Sequence, residues 1–164
     1  MSFLNPSRVI EEISLSGVAN IVDLGSGSGG WSIPLAKKNK DGMVYAVDVL
    51  SDSLSALKSK SESEKVYNIR TVSADIEKGT KLMSNFFDLA VVSNILFQAE
   101  DKDAVIREAH RVLKTKGKMI IVDWKNKEEV SETEVDEKAK ENGFQVVKKI
   151  DAGVSHFANL YEKV

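Results

Sequence analysis

The densest chemical signal in the chain is an acid followed by bare backbone: Asp23-Leu24-Gly25-Ser26-Gly27-Ser28-Gly29-Gly30. Four glycines in six residues are costly in backbone entropy. What they permit is close approach of a ligand to the main chain, with N–H groups free at the start of a following helix. A tight turn alone would need only one glycine. Gly25, Gly27 and Gly30 stand at the spacing of a dinucleotide-binding turn, and Asp48 lies near the distance at which an acid grips ribose hydroxyls. Asp23 argues against a dinucleotide. A carboxylate two residues before Gly25 is expected to face the ligand crevice, where it repels a pyrophosphate across a low dielectric and attracts an ammonium.

Such a turn needs a strand before it and a helix after it, and the flanking sequence supplies both. Short apolar runs at Asn20 to Leu24, Met43 to Asp48, Tyr67 to Ser73, Phe87 to Ser93 and Lys118 to Asp123 read as strands. Helix-length segments separate them, which implies βαβ units and a parallel sheet. Asn5-Pro6 fits an N-cap with proline at the first helical position, and Ser51 is placed to cap a helix carrying Leu54 and Leu57. Asp101 to Lys114 sets Val105, Ile106, Ala109, Val112 and Leu113 at helical spacing. Ser131 with Glu134 forms a capping box for a last helix, and Gly143 is placed to end it. Phe144 to Ile150 and Phe157 to Lys163 are joined too closely for a helical crossover, so they must run antiparallel. The predicted fold is α/β: a doubly wound Rossmann-like sheet of seven strands, mostly parallel, with an antiparallel C-terminal hairpin. Residues 1–164 form one domain, since no repeat or linker interrupts them.

Composition removes several chemistries. The chain has no cysteine, so disulfides, thiolate metal sites and cysteine nucleophiles are out, and two histidines do not make a histidine-rich metal site. A net charge of −2 speaks against a dedicated nucleic-acid binder. No run approaches the roughly 20 apolar residues of a membrane span, and Met1 to Arg8 lacks the apolar stretch of a signal peptide. The expected address is cytoplasmic.

An adenosyl amino acid suits the acids better than a dinucleotide does. S-adenosyl-L-methionine carries an α-ammonium, a sulfonium and a ribose, which match Asp23 at the amino-acid end and Asp48 at the sugar. Val22 to Gly29 resembles the first motif of class I S-adenosylmethionine-dependent methyltransferases. Asp48 ends the second strand as the ribose-binding acid does there. Ser73-Ala74-Asp75-Ile76 resembles the segment bordering the adenine, Phe87 to Asn94 the fourth-strand motif, and Arg107 to Lys114 the helix before strand five. From Asn94 through Gly117 the chain is most similar to the branch holding the ubiquinone/menaquinone-biosynthesis methyltransferases. It departs from that branch at Lys116-Gly117, where paired glycines are common, and near Gln98, where histidine is common.

The resemblance implies the cofactor residues. Gly25, Ser26 and Gly27 would admit the methionine part, and Asp23 would hold its amino group. Asp48 would accept from the ribose hydroxyls and Val49 would pack on the adenine face. Asp75 would accept from the exocyclic amine between Ala74 and Ile76. Ser93 and Asn94 would stand beside the sulfonium. Trp31 and Trp124 are each read as either mouth or core, His110 as a helix-surface residue and His156 as a turn histidine. The lysines at 37, 38, 40, 114, 116 and 118 read as solvated surface. Asp23, Asn94, Gln98 and His156 are candidates to surround the reaction centre, with no single catalytic base singled out and no metal.

The implied acceptor is a small molecule. About 20 residues between strand five and the hairpin leave little for a lid, which keeps protein and RNA as alternatives. Ser93-Asn94-Ile95-Leu96 stands where an Asn-Pro-Pro-Tyr motif would mark transfer to planar nitrogens. Competing readings are an NAD-type oxidoreductase, which Asp23 disfavours, and a non-catalytic S-adenosylmethionine-binding partner subunit.

Overall fold

A computed structural model describes residues 3–164. Five helices, α1 (Pro6–Glu11), α2 (Ser32–Lys38), α3 (Ser51–Ser63), α4 (Lys102–Val112) and α5 (Glu132–Glu141), alternate with strands. The strands are β1 (Asn20–Leu24), β2 (Met43–Asp48), β3 (Ile69–Ser73), β4 (Phe87–Ser93), β5 (Leu113–Trp124), β6 (Phe144–Ile150) and β7 (His156–Lys163). They form one sheet in the order β3-β2-β1-β4-β5-β7-β6. β1 to β5 are mutually parallel, while β7 runs antiparallel between β5 and β6. The chain winds outward from β1 to β3, then returns to β4 on the other side. That reversal opens a crevice beyond the carboxyl ends of β1 and β4.

Alternation along the strands fills both faces. Val22, Leu24, Ala90 and Val92 pack under α4 and α5 against Val105, Ile106, Ala109 and Val135. Ile21, Leu89, Val91, Ile120 and Val122 pack on the opposite face with Val9 and Ile10 of α1, Ile13 just after it, and Ile33 of α2. Apolar residues occupy successive positions of central strands because both faces are covered.

Local signals set most element ends. Asn5 Oδ1 accepts from Ser7 N, Asp101 Oδ1 from Ala104 N, and Ser131 Oγ from Glu134 N, as N-caps do. Gly143 ends α5 at φ 86, a conformation that suits glycine. Several expectations need correction. Ser51 is the first residue of α3, not its cap; Leu50 holds that position without a side-chain bond, its N–H donating to Asp48 Oδ1. β3 starts at Ile69, where pairing with Val44 of β2 begins, and leaves the exposed Tyr67 outside it. β5 begins at Leu113, directly where α4 stops at Val112. His110 is not a free surface group: its ring packs edge-on against Phe144 at 5.3 Å.

A cleft between the glycine turn and the turn after β4

The glycine turn is pinned from β2. Gly25 N and Ser26 N both donate to Val47 O at 2.8 Å, and Gly27 N donates to Asp48 Oδ2 at 2.8 Å. Gly25, Gly27 and Gly29 have φ of 82, 53 and 102, the region that side chains with a Cβ enter at a cost. An added Cβ on Gly25 would collide with Ile95, whose Cγ1 would stand 2.7 Å away. On Gly27 it would meet nothing within 4 Å. One glycine thus admits a neighbouring side chain, and the other leaves main chain open to the outside.

The cleft beside this turn encloses about 300 Å³. Gly25, Asp48, Val49, Ala74, Asp75 and Ile76, all singled out from sequence, share its wall. Leu50, Glu77, Ile95 and Gln98 complete the part that matters for polarity. Three lining residues are acids and none is lysine or arginine. Asp48 accepts Gly27 N on one oxygen and Leu50 N on the other, which orients the carboxylate and leaves a lone pair on each oxygen. Asp75 caps the short turn Ile76–Lys78 through Glu77 N at 3.0 Å, with Lys78 3.9 Å from its other oxygen. Val49 is exposed at the mouth.

Four other candidates lie off this wall. Asp23 does not face the crevice: strand alternation turns it toward α2, where it is 1% exposed and accepts from Ser32 Oγ at 2.7 Å. Burial pushes its carboxyl up to about 7, against the Ser32 bonds and with help from Asp48. Ser26 is buried beside Gly27. Gly27 reaches the cleft through its bond to Asp48. Ser93 is buried at the end of β4, and its hydroxyl is the one buried side-chain polar atom without a hydrogen-bond partner among the described residues. Trp31 is core, packed in the layer under α2. Lys37 and Lys114 stand exposed in ion pairs with Glu64 and Asp88.

One group, Asp123, escapes the sequence reading, and a second, His156, is named there a candidate for the reaction centre but read in the first place as a turn residue. His156 is no turn histidine; it opens β7, is buried, and stacks on Trp124. Asp123, fully buried at the end of β5, accepts from Leu96 N, Phe97 N and Trp124 N at 3.0, 3.3 and 2.9 Å. It fixes the turn Leu96–Gln98 that carries one side of the cleft. Burial raises its pKa, and the three N–H donors pull against that rise. The signal was present: an aspartate closing the apolar run Met119 to Val122, as Asp48 closes Met43 to Val47.

The residues fit an adenosyl amino acid. Open main chain at Gly27, an oriented acid at the sugar position and a cleft without basic groups suit a cation carrying a ribose. A pyrophosphate would meet three carboxylates and no basic side chain on this wall.

Comparison with known proteins agrees. Residues 15–163 match the family described as a methyltransferase domain. The ubiquinone/menaquinone biosynthesis C-methyltransferase UbiE of Rickettsia bellii is 30% identical over 149 residues, covering 88% of this chain and 58% of that protein. The biotin biosynthesis bifunctional protein BioHC of Saccharophagus degradans is 40% identical over 101 residues, 61% of this chain and 17% of that protein. The chain therefore spans less than two thirds of either relative. A SAM-dependent methyltransferase from Aquifex aeolicus superposes with TM-score 0.90 at 24% identity, over 99% of this chain and 91% of that one, and so shares the fold. The match over residues 15–163 shows that this chain belongs to the methyltransferase-domain family, and its sheet order and cleft lining accord with the class I S-adenosylmethionine-dependent branch that the sequence resembles.

Proposed function

We propose that the domain methylates a small molecule, holding S-adenosylmethionine in the cleft between the glycine turn and the Leu96–Gln98 turn. The observation that carries the reading is a cleft lined by Asp48, Asp75 and Glu77 with no basic side chain, against open main chain at Gly27. Asp48 accepts from the ribose hydroxyls with the lone pairs its two N–H donors leave free. Val49, Ala74 and Ile76 pack on the adenine, and Asp75 accepts from its amine. Gly25, Ser26 and Gly27 border the methionine part. Asp23 acts from beneath the turn through its charge, and the Ser93 carbonyl stands beside the amino-acid end.

Bound S-adenosylmethionine supplies the methyl on a sulfonium that is already a good leaving group. The chain's residues have to orient the acceptor in line with it and keep it there. Both relatives reported above are named for biosynthesis of small molecules, which supports an acceptor of that size. The surface of a chain with net charge −2 offers little to a nucleic-acid acceptor. No helix among the described residues is long and apolar enough to cross a membrane.

A thermal shift with S-adenosylhomocysteine beside NAD tests the reading. A ligand at a hundred times its Kd adds about 2.7 kcal/mol, roughly 5–10 °C for a chain of this size. S-adenosylhomocysteine should give that rise and NAD none. Asp48→Ala should weaken S-adenosylhomocysteine about 10- to 100-fold by calorimetry, through lost charge-assisted bonds. Stabilisation by NAD alone overturns the assignment.

A further inference from the structure

Lys114, Lys116 and Lys118 gather at the end of the sheet opposite the cofactor cleft. They line a second cleft of about 250 Å³ at the amino ends of β1, β4 and β5, and the loop after α1 forms its other side. Strand register creates it. Phe87 pairs with Leu113 and Leu89 with Lys118, so Lys114-Thr115-Lys116-Gly117 swells outward opposite Asp88 alone. The swelling turns tightly: an added Cβ on Gly117 would stand 2.8 Å from Lys114 O. Lys116 takes φ 64, left-handed backbone that glycine enters freely and a side chain enters at a cost. Glycine would fill that position without strain; lysine adds an ammonium at the cleft.

The two clefts carry opposite charge. The cofactor cleft has three acids and no base on its wall; this one has three lysines and a single acid. That acid is already committed. Asp88 Oδ2 accepts from Asn20 N at 2.8 Å, and Oδ1 accepts from Lys114 Nζ at 2.9 Å. Lys118 stands 3.3 Å from Glu162, which lies off the wall. Lys116 has no ion-pair partner among the described residues. Lys38 Nζ donates to Ile13 O at 3.3 Å and brings another positive charge to the loop after α1. In that loop the N–H groups of Ser14, Leu15 and Ser16 reach no acceptor among the described residues. Ammonium groups on one segment and unclaimed main-chain N–H groups on the other suit an oxyanion. Ile13 and Leu15 add apolar wall beside them.

We propose that this cleft is a second ligand site, which takes a small phosphate monoester. Lys114, Lys116 and the main chain of Ser14 to Ser16 hold the phosphate, and the organic part lies against Ile13 and Leu15. A tetrahedral dianion offers oxygens to donors on both segments at once. A dicarboxylate of equal charge spreads it over two planar groups set apart. Seven residues of β4, roughly 20 Å of strand, separate this end of the sheet from the cofactor cleft. The inference therefore goes beyond the methyl-transfer reading and does not depend on it.

The test uses the full chain in a phosphate-free buffer, with phenyl phosphate, inorganic phosphate and succinate as probes. Calorimetry reads affinity, and amide NMR reads the place of binding. Phenyl phosphate should bind one-to-one and shift the amide signals of residues 14–17 and 114–118, leaving those of 25–30 unmoved. It should bind more tightly than inorganic phosphate, and succinate should be weaker by about ten-fold or more. Lys116→Gly removes the ammonium and relieves the left-handed backbone, so the fold is kept. It should weaken phenyl phosphate about five- to ten-fold. Asp88→Asn keeps an acceptor for Asn20 N and frees Lys114, and should tighten the probe about three-fold. Lys60→Ala, at an exposed position of α3, changes net charge as Lys116→Gly does and should leave affinity within about two-fold. S-adenosylhomocysteine affinity should also stay within about two-fold in all three variants. Inorganic phosphate binding as tightly as phenyl phosphate overturns the ester in favour of free phosphate. No saturable binding of either, succinate binding as tightly, shifts confined to other residues, or equal losses in Lys116→Gly and Lys60→Ala overturns the site. Phenyl phosphate binding without S-adenosylhomocysteine binding would sink the cofactor reading and leave this one standing.

Discussion

Gly25 and Gly27 look alike in sequence and differ in what they do. Gly25→Ala must accept a strained φ and push Ile95 aside, which should cost about 2–4 kcal/mol. Gly27→Ala faces open space and should lose only the left-handed backbone term, about 1 kcal/mol. Urea denaturation of the two variants separates them, and equal losses would contradict the packing of Ile95 on Gly25. Asp23 carries a different tension. Its carboxyl is pushed from 3.8 to about 7 in the folded chain, chiefly by burial. The folded state therefore holds a proton that the unfolded state releases near pH 4. Stability is fully present below that point and falls as pH climbs toward about 7. Asp23→Asn keeps an acceptor for Ser32 and removes the titration. It should match the parent at pH 4 and exceed it at pH 8, while binding S-adenosylhomocysteine more weakly. Urea midpoints at the two pH values decide the first claim.

At the scale of elements, the cleft depends on two buried carboxylates that hold loops to strands and helices. Asp123 pins the Leu96–Gln98 turn to β5. Glu108 does the same for the segment before β4. It is 6% exposed, and Oε1 accepts from Thr80 N at 2.9 Å, from Thr80 Oγ1 at 2.5 Å and from Arg111 Nη2 at 2.7 Å. Arg111 carries the tie onward to Leu82 O and Ser84 Oγ, both at 2.8 Å. Burial raises the Glu108 pKa, but Arg111 and Thr80 outweigh it and bring the group down to about 2. The stabilisation is complete above pH 4.5 and drains away as pH falls toward 2. Glu108→Ala strands two donors and a half-buried guanidinium. It should cost about 2–4 kcal/mol at pH 7, with a difference from the parent that narrows at pH 3. Melting curves at the two pH values test this.

At the scale of the molecule, β7 closes the fold by entering between β5 and β6 against their direction. Its final residue in the strand, Lys163, is 8% exposed. The ammonium donates to Asn85 Oδ1, His110 O and Leu113 O at 3.0, 2.7 and 2.8 Å. It thus satisfies carbonyls at the end of α4, where a positive charge is favourable, and joins the last strand to the middle of the chain. Lys163→Met keeps the volume but leaves three acceptors short of a donor. It should cost about 1–3 kcal/mol, a Tm lowered by roughly 3–10 °C in calorimetry. The same entry of β7 brings His156 to the end of β5, opposite Trp124.

The sequence by itself determined the strand–helix alternation, the reversed final strand and which residues gather at the crevice end of the sheet. Those features are local: apolar runs of strand length, caps at Asn5 and Ser131, a connection from Asp151 to His156 too short to cross over, and glycines dense enough to bare a main chain. That Asp48, Val49 and Asp75 would share one end of the sheet was legible for the same reason, since Asp48 ends β2, Val49 follows it and Asp75 stands two residues past β3. Whether a residue near the crevice points into it was decided only by the tertiary structure. Pleating turns Asp23 toward Ser32, and packing across the sheet buries Trp31. His156 meets Asn94 across 62 residues because β7 lies beside β5, and Asp123 reaches Leu96 because β4 does. Spacing along the chain sets which face a side chain takes; which partner waits on that face depends on strand order and register, and these arise from burial of the whole sheet.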